Sequence, residues 1–469
     1  MLSPTRDRMA QRLRAITDPV NRVRIFTPFL LYNILMNIIQ EFDTITAIAT
    51  PVGTGGVGVI RISGENSFEI IGKIFSKSEL EHGKIAHGWI TDVDEVIVLP
   101  FKKPNSYTGE DIIEIHCHGG VNVVRNILGL VLENGARMAE RGEFTKRAFL
   151  NGKIDLSQAE AIADLIHAKT RNFAKHCAQN LSGVLSTKIK EIRQDIFEVL
   201  AKITAGIDFP DDVKEPEYDY LIKEFEIAIG KIDAILACAQ SSDILRQGVK
   251  VAIVGKPNVG KSSLFNVLLN MERAIVTDIA GTTRDVLKET LDWGVAVTFI
   301  DTAGIRENAG KVEVIGIEYS KQAADEADLV LFVYDASQGL DEEDKAVLEF
   351  VKDKKHIIVA NKCDLAAAAQ GINVSSSTKE GLSKLKDSIN SMSLPFEDVE
   401  FTTNSRQQDC LCKSRESLEQ ALLAAKVHEL QDLISIDVKS ALLFLDEITG
   451  EVITDEILNN IFENFCIGK

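Results

Sequence analysis

The chain has 469 residues, of which 45% are hydrophobic, and its formal net charge at pH 7 is −18. This length predicts about two to four domains rather than one, and the acidic balance argues against a broadly basic nucleic-acid-binding protein. The seven cysteines are scattered without Cys-x-x-Cys spacing and their number is odd, which predicts reduced thiols in a cytosol-like compartment.

Residues 1–40 form an extension that is rich in arginine. Six arginines and two aspartates lie between Arg6 and Arg24, which is typical of a mitochondrial transit peptide. The apolar stretch 25–39 contains Pro28 and is too short to span a membrane. A third interpretation is that translation starts at Met36. No other stretch of the sequence could cross a bilayer, so we expect no membrane association.

Residues 41–155 mix strand and helix patterns and predict an α+β domain. The β-branched runs Ile45–Thr50 and Val57–Ile62 read as strands. The glycines between them fit G-x-G-x-x-G, but a dinucleotide-binding loop must open a helix, and this one opens an alternating strand. A tight loop between strands is therefore the better interpretation.

Two segments with helical periodicity, 156–247 and 395–469, flank a central stretch. Ser157-Gln-Ala-Glu160 has the pattern of a capping box that begins a helix. Apolar residues recur at helical spacing in Leu221–Leu245 and in Glu416–Ile434. We predict that helices from both segments pack as one all-α bundle and that residues 248–394 are inserted into it as a separate domain.

The inserted segment opens with a glycine-rich loop, Gly255-Lys-Pro-Asn-Val-Gly-Lys-Ser262. The β-branched run Val249–Val254 precedes it and an apolar-periodic stretch follows, so the order is strand, loop, helix. Backbone N–H groups of such a loop and the positive end of the helix bind a phosphate chain. Lys261 is expected to reach the terminal phosphates, and the Ser262 hydroxyl to bind Mg²⁺.

Further motifs follow in the order that a guanine-nucleotide switch requires. Thr283 can join Ser262 on Mg²⁺, the Asp301–Gly304 segment can face the γ-phosphate, and Asp364 can accept two hydrogen bonds from guanine that adenine cannot donate. We predict a Ras-like P-loop GTPase domain with a mostly parallel sheet and helices on both faces. The predicted GTP-binding residues are Asn258, Val259, Gly260, Lys261, Ser262, Ser263, Thr277, Asp278, Ile279, Ala280, Gly281, Thr282, Thr283, Asp301, Thr302, Ala303, Gly304, Asn361, Lys362, Asp364, Ser375, Ser376 and Ser377.

One catalytic group of Ras-like switches is missing. Ile305 stands where those proteins have a glutamine that orients the attacking water. Another positive charge and another water-orienting group must substitute for it. Asn258 is a candidate oxygen ligand for a monovalent cation, and Glu313 is a candidate base that acts through water.

Three motifs together resemble the MnmE (TrmE) family of tRNA-modifying GTPases. They are the glycine-rich loop, the segment Ile275–Asp285 and the terminal Cys466-Ile-Gly-Lys469. The likeness runs from about Asp43 to the last residue, which favours Met36 as the true start. It implies a multidomain α/β protein with an N-terminal α+β folate-binding domain, an all-α helical bundle and an inserted GTPase domain.

The resemblance also implies ligands and partners. A potassium ion would be bound by Asn258, Thr277, Ile279 and Thr282, and Glu313 would be the catalytic glutamate. A tetrahydrofolate derivative, in the 5,10-methylene or 5-formyl form, would contact Arg61, Glu114, Lys153 and Lys469, and Cys466 would be needed for modification. The missing proline before Gly142 removes none of these contacts.

The implied activity is potassium-stimulated GTP hydrolysis that adds a carboxymethylaminomethyl-type group at C5 of the wobble uridine of certain tRNAs. The implied assembly is a homodimer that forms a heterotetramer with MnmG, a flavoprotein that carries FAD, in the cytoplasm or, with a transit peptide, in the mitochondrial matrix. Two alternatives stay open: a ribosome-assembly GTPase, and a folate-dependent one-carbon transferase with a regulatory GTPase domain.

Overall fold

The computed structural model describes residues 43–77, 79–271, 289–300, 323–393 and 400–469. The chain divides into two compact units. One unit comprises the described residues up to Lys153 together with Phe462–Lys469, and the other comprises Ile154–Ile461.

The first unit contains a six-stranded sheet with the strand order β3-β4-β5-β2-β1-β6. Its neighbours pair antiparallel, except that β6 runs parallel to β1. The strands are β1 Ile45–Ile48, β2 Val57–Ser63, β3 Ala86–Ile90, β4 Asp94–Phe101, β5 Ile112–His118 and β6 Arg137–Met138. The helices of this unit are α1 Ser67–Ile74, α2 Val121–Glu133 and α3 Glu143–Leu150.

Helices α1 and α2 pack against one face of this sheet, and Phe144 of α3 packs on the opposite face against Ile45 and Ala47 of β1. Ile60 and Ile62 of β2 and Ile113 and Ile115 of β5 form one core cluster with the apolar side chains of α1 and α2. Because successive side chains of a strand point to opposite faces, Arg61 lies on the other face. The register pairs it with Glu114 of β5, so two of the predicted folate-binding residues are neighbours on the face opposite α1 and α2.

The second unit contains a helical bundle built from segments that are far apart in sequence. Its helices are α4 Leu156–His167, α5 Arg171–Leu181, α6 Val184–Asp208, α7 Tyr218–Leu236 and α8 Ala239–Gln247, followed after the second sheet by α12 Ser405–Lys426, α13 Gln431–Thr449 and α14 Asp455–Phe462. Buried side chains of α6, α7, α12 and α13 form a single core cluster. The helices before and after the second sheet therefore share one core, as expected for an inserted domain.

The inserted segment folds around a second six-stranded sheet with the order β12-β11-β10-β7-β9-β8. Its pairs are parallel except for β8, which is antiparallel to β9. The strands are β7 Val249–Val254, β8 Glu289–Asp292, β9 Ala296–Ile300, β10 Leu329–Asp335, β11 His356–Asn361 and β12 Ile372–Asn373, and the helices are α9 Lys261–Met271, α10 Glu342–Val351 and α11 Leu382–Ser393. Alternate residues of β7 belong to two different core clusters, so both faces of the sheet are covered.

Local details of the predicted helices are corrected by the structure. Helix α4 is capped by Asp155 rather than by Ser157, because the Asp155 carboxylate accepts from the Gln158 N–H at 3.0 Å and the Gln158 side chain accepts from the Asp155 N–H at 2.9 Å. The periodic stretches Leu221–Leu245 and Glu416–Ile434 each divide into two helices. Periodicity alone does not reveal such breaks, because the apolar pattern continues across them.

The predicted multidomain α/β fold class is confirmed: an α+β sheet domain, an all-α bundle and an inserted, mostly parallel sheet with helices on both faces. The predicted domain boundaries at residues 41, 156, 248 and 395 stay predictions. Among the described residues, no helix combines the length and apolar character needed to cross a membrane.

Candidate functional site

The glycine-rich loop connects the buried strand β7 to helix α9. Asn258, at the centre of the loop, has a left-handed backbone conformation with φ +63°, which non-glycine residues rarely adopt. Gly260 has φ +95°, and a side chain there would overlap Nδ2 of Asn361. A glycine is therefore required for the loop to approach the end of strand β11.

Asn361 joins three of the predicted nucleotide-binding loops. Its Nδ2 donates to the carbonyl oxygen of Val259 at 2.9 Å, and its Oδ1 accepts from the N–H and hydroxyl of Ser376 at 3.3 and 3.1 Å. The side chain is 1% exposed, so these bonds form in a region of low dielectric constant, where they hold the loops firmly. The phosphate and base loops are thus fixed relative to each other.

The remaining residues of the base-binding motifs lie on either side of Asn361. Lys362 donates to the Asn258 carbonyl oxygen at 3.0 Å and to Asp335 Oδ2 at 2.7 Å. Asp364 is exposed, and its carboxylate has no hydrogen-bond partner in the part of the chain that the structure describes. Ser375 is buried, and its hydroxyl accepts from the N–H groups of Ser377 and Thr378 at 3.2 and 3.0 Å. Asp364 is therefore available to a base that offers two donors.

The ammonium of Lys261, the first residue of α9, lies over the glycine-rich loop. Its ammonium donates to the carbonyl oxygens of Gly255 and Lys256 at 2.8 and 2.6 Å. Burial lowers the pKa of Lys261 from 10.5 to about 8, because the charged form loses hydration. Ser262 follows it at the start of the helix and is half-buried. The arrangement presents a cation and a hydroxyl where a bound phosphate chain would need them.

A second candidate site is a cavity of about 370 Å³ in the first unit, a volume in the range of small-molecule sites. Glu114 and Lys153 line it, and Lys153 donates to the carbonyl oxygen of Pro104 at 3.0 Å. The other lining residues combine apolar, aromatic and hydrogen-bonding side chains: Phe101, Asn105, Ser106, Tyr107 and Ile112. A flat polar heterocycle with a carboxylate tail fits such a lining.

Arg61 is held beside this cavity by a carboxylate and two aromatic rings. Its Nε and Nη2 lie 2.8 and 2.7 Å from Glu114 Oε1, and its guanidinium carbon lies 5.4 Å from the Tyr107 ring centre and 5.6 Å from that of Phe144. Stacking on aromatic faces and pairing with a carboxylate both immobilise a guanidinium. Burial raises the pKa of Tyr107, and its hydroxyl lies 2.9 Å from that of Thr145.

The C-terminal tail is attached to the same unit. Arg61 Nη1 lies 3.5 Å from the Gly468 carbonyl oxygen, and the Phe144 N–H donates to Lys469 O at 3.2 Å. Gly468 has φ +95°, and a side chain there would overlap a backbone oxygen of β1. The structure thus brings Arg61, Glu114 and the tail together, and it places Lys153 on the cavity wall. Cys466 is exposed on this tail.

The chain matches two family models and many curated proteins. The model of the MnmE helical domain matches residues 156–466, and that of the GTP-binding protein TrmE N-terminus matches residues 44–153. The chain is 45% identical to the tRNA modification GTPase MnmE of Clostridioides difficile, over 91% of this chain and 99% of that protein. This chain belongs to the MnmE family.

A second MnmE, from Lactobacillus delbrueckii subsp. bulgaricus, is 44% identical over 92% of this chain and 99% of that protein. Among solved structures, Era in complex with MgGDPNP and part of 16S ribosomal RNA is 29% identical, covering 36% of this chain and 66% of that one, with a TM-score of 0.25.

About half of the GTP-site residues predicted for this MnmE-family chain fall outside the described residues. They are Thr277, Asp278, Ile279, Ala280, Gly281, Thr282, Thr283, Asp301, Thr302, Ala303, Gly304 and Glu313. Their roles, and those of the described site residues, stay predictions.

Two groups of residues near the sites were missed by sequence reasoning. The first is the aromatic and polar lining of the cavity, including Tyr107 and Phe144 next to Arg61. The second is Asp335, which pairs with Lys362. A signal for Asp335 was present, because it ends an apolar strand, and ligands of parallel α/β sheets bind at the carboxyl ends of strands.

Proposed function

We propose that this MnmE-family chain hydrolyses GTP to drive modification at C5 of the wobble uridine of certain tRNAs, adding a carboxymethylaminomethyl-type group. GTP hydrolysis in tRNA modification follows from membership of the family. The finer proposal is that the chain works in the cytoplasm as a homodimer with the FAD-bearing MnmG in a heterotetramer, with potassium and a tetrahydrofolate derivative.

The nucleotide half of the proposal is supported by the connected loops around Asn361. Lys261 would neutralise the β- and γ-phosphates, since its ammonium already lies over the loop. Asp364 would accept from the guanine edge because its carboxylate is exposed. Adenine would leave that carboxylate unpaired, which is a strong basis for discrimination.

Two metal ions would complete this half. Ser262 and Thr283 would hold Mg²⁺, and Asn258, with Thr277, Ile279 and Thr282, would hold K⁺. The described donors fit: a half-buried hydroxyl at a helix start and an amide on a loop with a fixed backbone. When bound, the ions supply positive charge where negative charge develops on the phosphates. Glu313 would orient the attacking water through a second water.

The one-carbon half is supported by the cavity beside Arg61. A carboxylate, an ammonium and an aromatic hydroxyl converge on its wall, which suits a tetrahydrofolate derivative with a hydrogen-bonding ring and an anionic tail. This cofactor would supply the one-carbon unit. Arg61 and Glu114 would orient its ring, Lys153 and Lys469 would attract its carboxylates, and Cys466 would act from the tail.

The observation that carries the proposal is similarity to MnmE proteins over 91% of a chain that contains both a nucleotide loop and this cavity. The test is mass spectrometry of tRNA nucleosides from a deletion strain with and without a plasmid encoding this chain. We expect the wobble modification to disappear and return. Unchanged modification in the deletion strain would refute the proposal.

Three variants test individual residues. Asn258→Ala is expected to abolish the difference between GTP hydrolysis rates in potassium and sodium buffers. A surviving difference would mean that the cation binds elsewhere. Glu313→Ala is expected to keep GTP affinity and to lose most GTP hydrolysis. Unchanged turnover would show that Glu313 is not the catalytic glutamate. Arg61→Ala is expected to weaken binding of 5-formyltetrahydrofolate while GTP affinity stays constant.

The alternatives make different predictions. Stable co-sedimentation with ribosomal subunits would favour a ribosome-assembly GTPase. Turnover of a folate substrate without a flavoprotein would favour a self-contained one-carbon transferase.

A further inference from the structure

We propose that Asp335 is a positioning residue for the potassium response, because it holds Lys362 against the backbone of Asn258. This inference rests on the proposed role of Asn258 as a potassium ligand. It concerns a carboxylate at the end of strand β10 that is absent from the predicted site residues.

The starting point is the conformation of the loop asparagine. A left-handed backbone at a non-glycine residue is less stable than the common conformations and persists only where its surroundings hold it. Two hydrogen bonds hold this part of the loop: Lys362 Nζ to the Asn258 carbonyl oxygen at 3.0 Å, and Asn361 Nδ2 to the next carbonyl oxygen, that of Val259, at 2.9 Å. The first of these depends on where the lysine ammonium lies.

Asp335 determines where that ammonium lies. Its Oδ2 accepts from Lys362 Nζ at 2.7 Å, and its Oδ1 accepts from the N–H and hydroxyl of Ser337 at 3.0 and 2.7 Å. The carboxylate is 7% exposed, whereas the lysine side chain is 35% exposed. A lysine is flexible on its four-carbon stem, so the buried, doubly held carboxylate is the fixed partner of the pair.

The ionised state of Asp335 agrees with this role. Burial raises the pKa of Asp335, but hydrogen bonds from Lys362 and Ser337 outweigh burial and bring the pKa below its ordinary value. The strand that carries Asp335 is paired with β11 in a register that aligns Asp335 with Asn361. The anchor therefore belongs to the rigid sheet rather than to a loop.

The consequence concerns ion affinity. A site binds an ion more tightly when its oxygen ligands are already held in place, because less ordering is needed on binding. If the ammonium loses its anchor, the Asn258 backbone gains freedom and its side-chain oxygen is less well positioned. We therefore infer that loss of Asp335 weakens potassium activation more than it slows hydrolysis at saturating potassium.

The experiment is a potassium titration at constant ionic strength, with sodium as the replacing ion, on the full chain. It follows GTP hydrolysis and, without turnover, the affinity for a non-hydrolysable GTP analogue. The potassium concentration that half-saturates the gain in analogue affinity is expected to shift in parallel with that for hydrolysis. Asp335→Asn keeps the shape of the side chain and removes its charge. Asp335→Glu keeps the charge on a longer side chain. Asp325→Asn is the control, because the exposed Asp325 also pairs with a lysine of the same domain, Lys354, at 2.6 Å, but forms no hydrogen bond or ion pair with the glycine-rich loop among the described residues.

We expect Asp335→Asn to raise the potassium concentration for half-activation roughly tenfold, the scale of one charge-assisted hydrogen bond. The rate at saturating potassium is expected to stay within about twofold of the wild type. Asp335→Glu is expected to recover part of the potassium affinity, and Asp325→Asn to match the wild type. If Asp335→Asn does not fold, Ser337→Ala, which removes one bond to Asp335 while keeping its charge, is expected to raise half-activation about threefold.

Two results would overturn this inference and leave the proposed function intact. In the first, potassium activates the wild type, and Asp335→Asn has the same half-activation concentration as the wild type. The other is a variant whose rate falls by the same factor at every potassium concentration, which indicates a purely structural role. A wild type that does not distinguish potassium from sodium would instead refute the potassium part of the proposed function, and this inference with it.

Discussion

Nucleotide affinity is expected to fall at alkaline pH because of the buried ammonium of Lys261. Burial lowers the pKa of this ammonium from 10.5 to about 8. Bound phosphates favour the charged form, so the pKa rises again in the complex. Below pH 8 the lysine is already charged and affinity is nearly constant. Above pH 8 the free protein must take up a proton to bind GTP, so affinity falls by about tenfold per pH unit.

The expected effect is a GTP dissociation constant roughly tenfold higher at pH 9 than at pH 7, or about 1.4 kcal/mol of binding free energy. Calorimetric titrations at pH 7, 8 and 9, in two buffers of different ionisation enthalpy, give both the affinity and the protons taken up. Lys261 is expected to contribute about 0.9 proton per GTP at pH 9.

The control is Lys261→Ala, measured over the same pH values. Ionisation of GTP itself affects both proteins, so the ratio of their dissociation constants isolates the lysine. A ratio that is constant from pH 7 to pH 9, with no more proton uptake by the wild type than by Lys261→Ala, would refute the reasoning.

Three further predictions concern packing. Phe225→Ala, in the core of the bundle, is expected to lower the free energy of unfolding by about 3–5 kcal/mol. Arg406→Met, which leaves the buried Glu160 carboxylate without the guanidinium at 2.7 Å, is expected to cost about 3–5 kcal/mol. Urea denaturation followed by circular dichroism measures both, and a loss below about 1 kcal/mol would contradict either estimate. Gly468→Ala is expected to release the tail and accelerate hydrogen exchange of the Phe144 N–H at least tenfold; unchanged exchange would show that the tail tolerates the side chain.

The sequence was most informative where a function depends on consecutive residues. The glycine-rich loop is eight residues long and lies between a strand and a helix that periodicity also predicts. The insertion of the parallel-sheet domain could be inferred because apolar helices precede and follow it. Both inferences depend on local patterns and chain order.

The sequence was least informative where a site is assembled by strand pairing. The cavity combines Phe101 of β4 and Glu114 of β5 with a loop residue, Tyr107. Their proximity depends on a sheet register that no local pattern specifies. The pairing of Arg406 with Glu160 has the same cause, since the two partners are 246 positions apart in the sequence. The wrong prediction of Ser157 instead of Asp155 as the helix cap has a different cause. Asp and Ser both suit the N-cap position of a helix, and only the hydrogen bonds decide between them.

The shared core of the bundle has a consequence for synthesis on the ribosome. Helices α6 and α7 are translated before the inserted domain, while their partners α12 and α13 begin only at Ser405. At about 5–20 residues per second, translation of the intervening chain takes roughly 10–30 s. During that interval the apolar faces of α6 and α7 lack their packing partners, while the inserted domain can already fold. The newly made chain is therefore most vulnerable to aggregation, and most in need of chaperones, just when its nucleotide domain is complete.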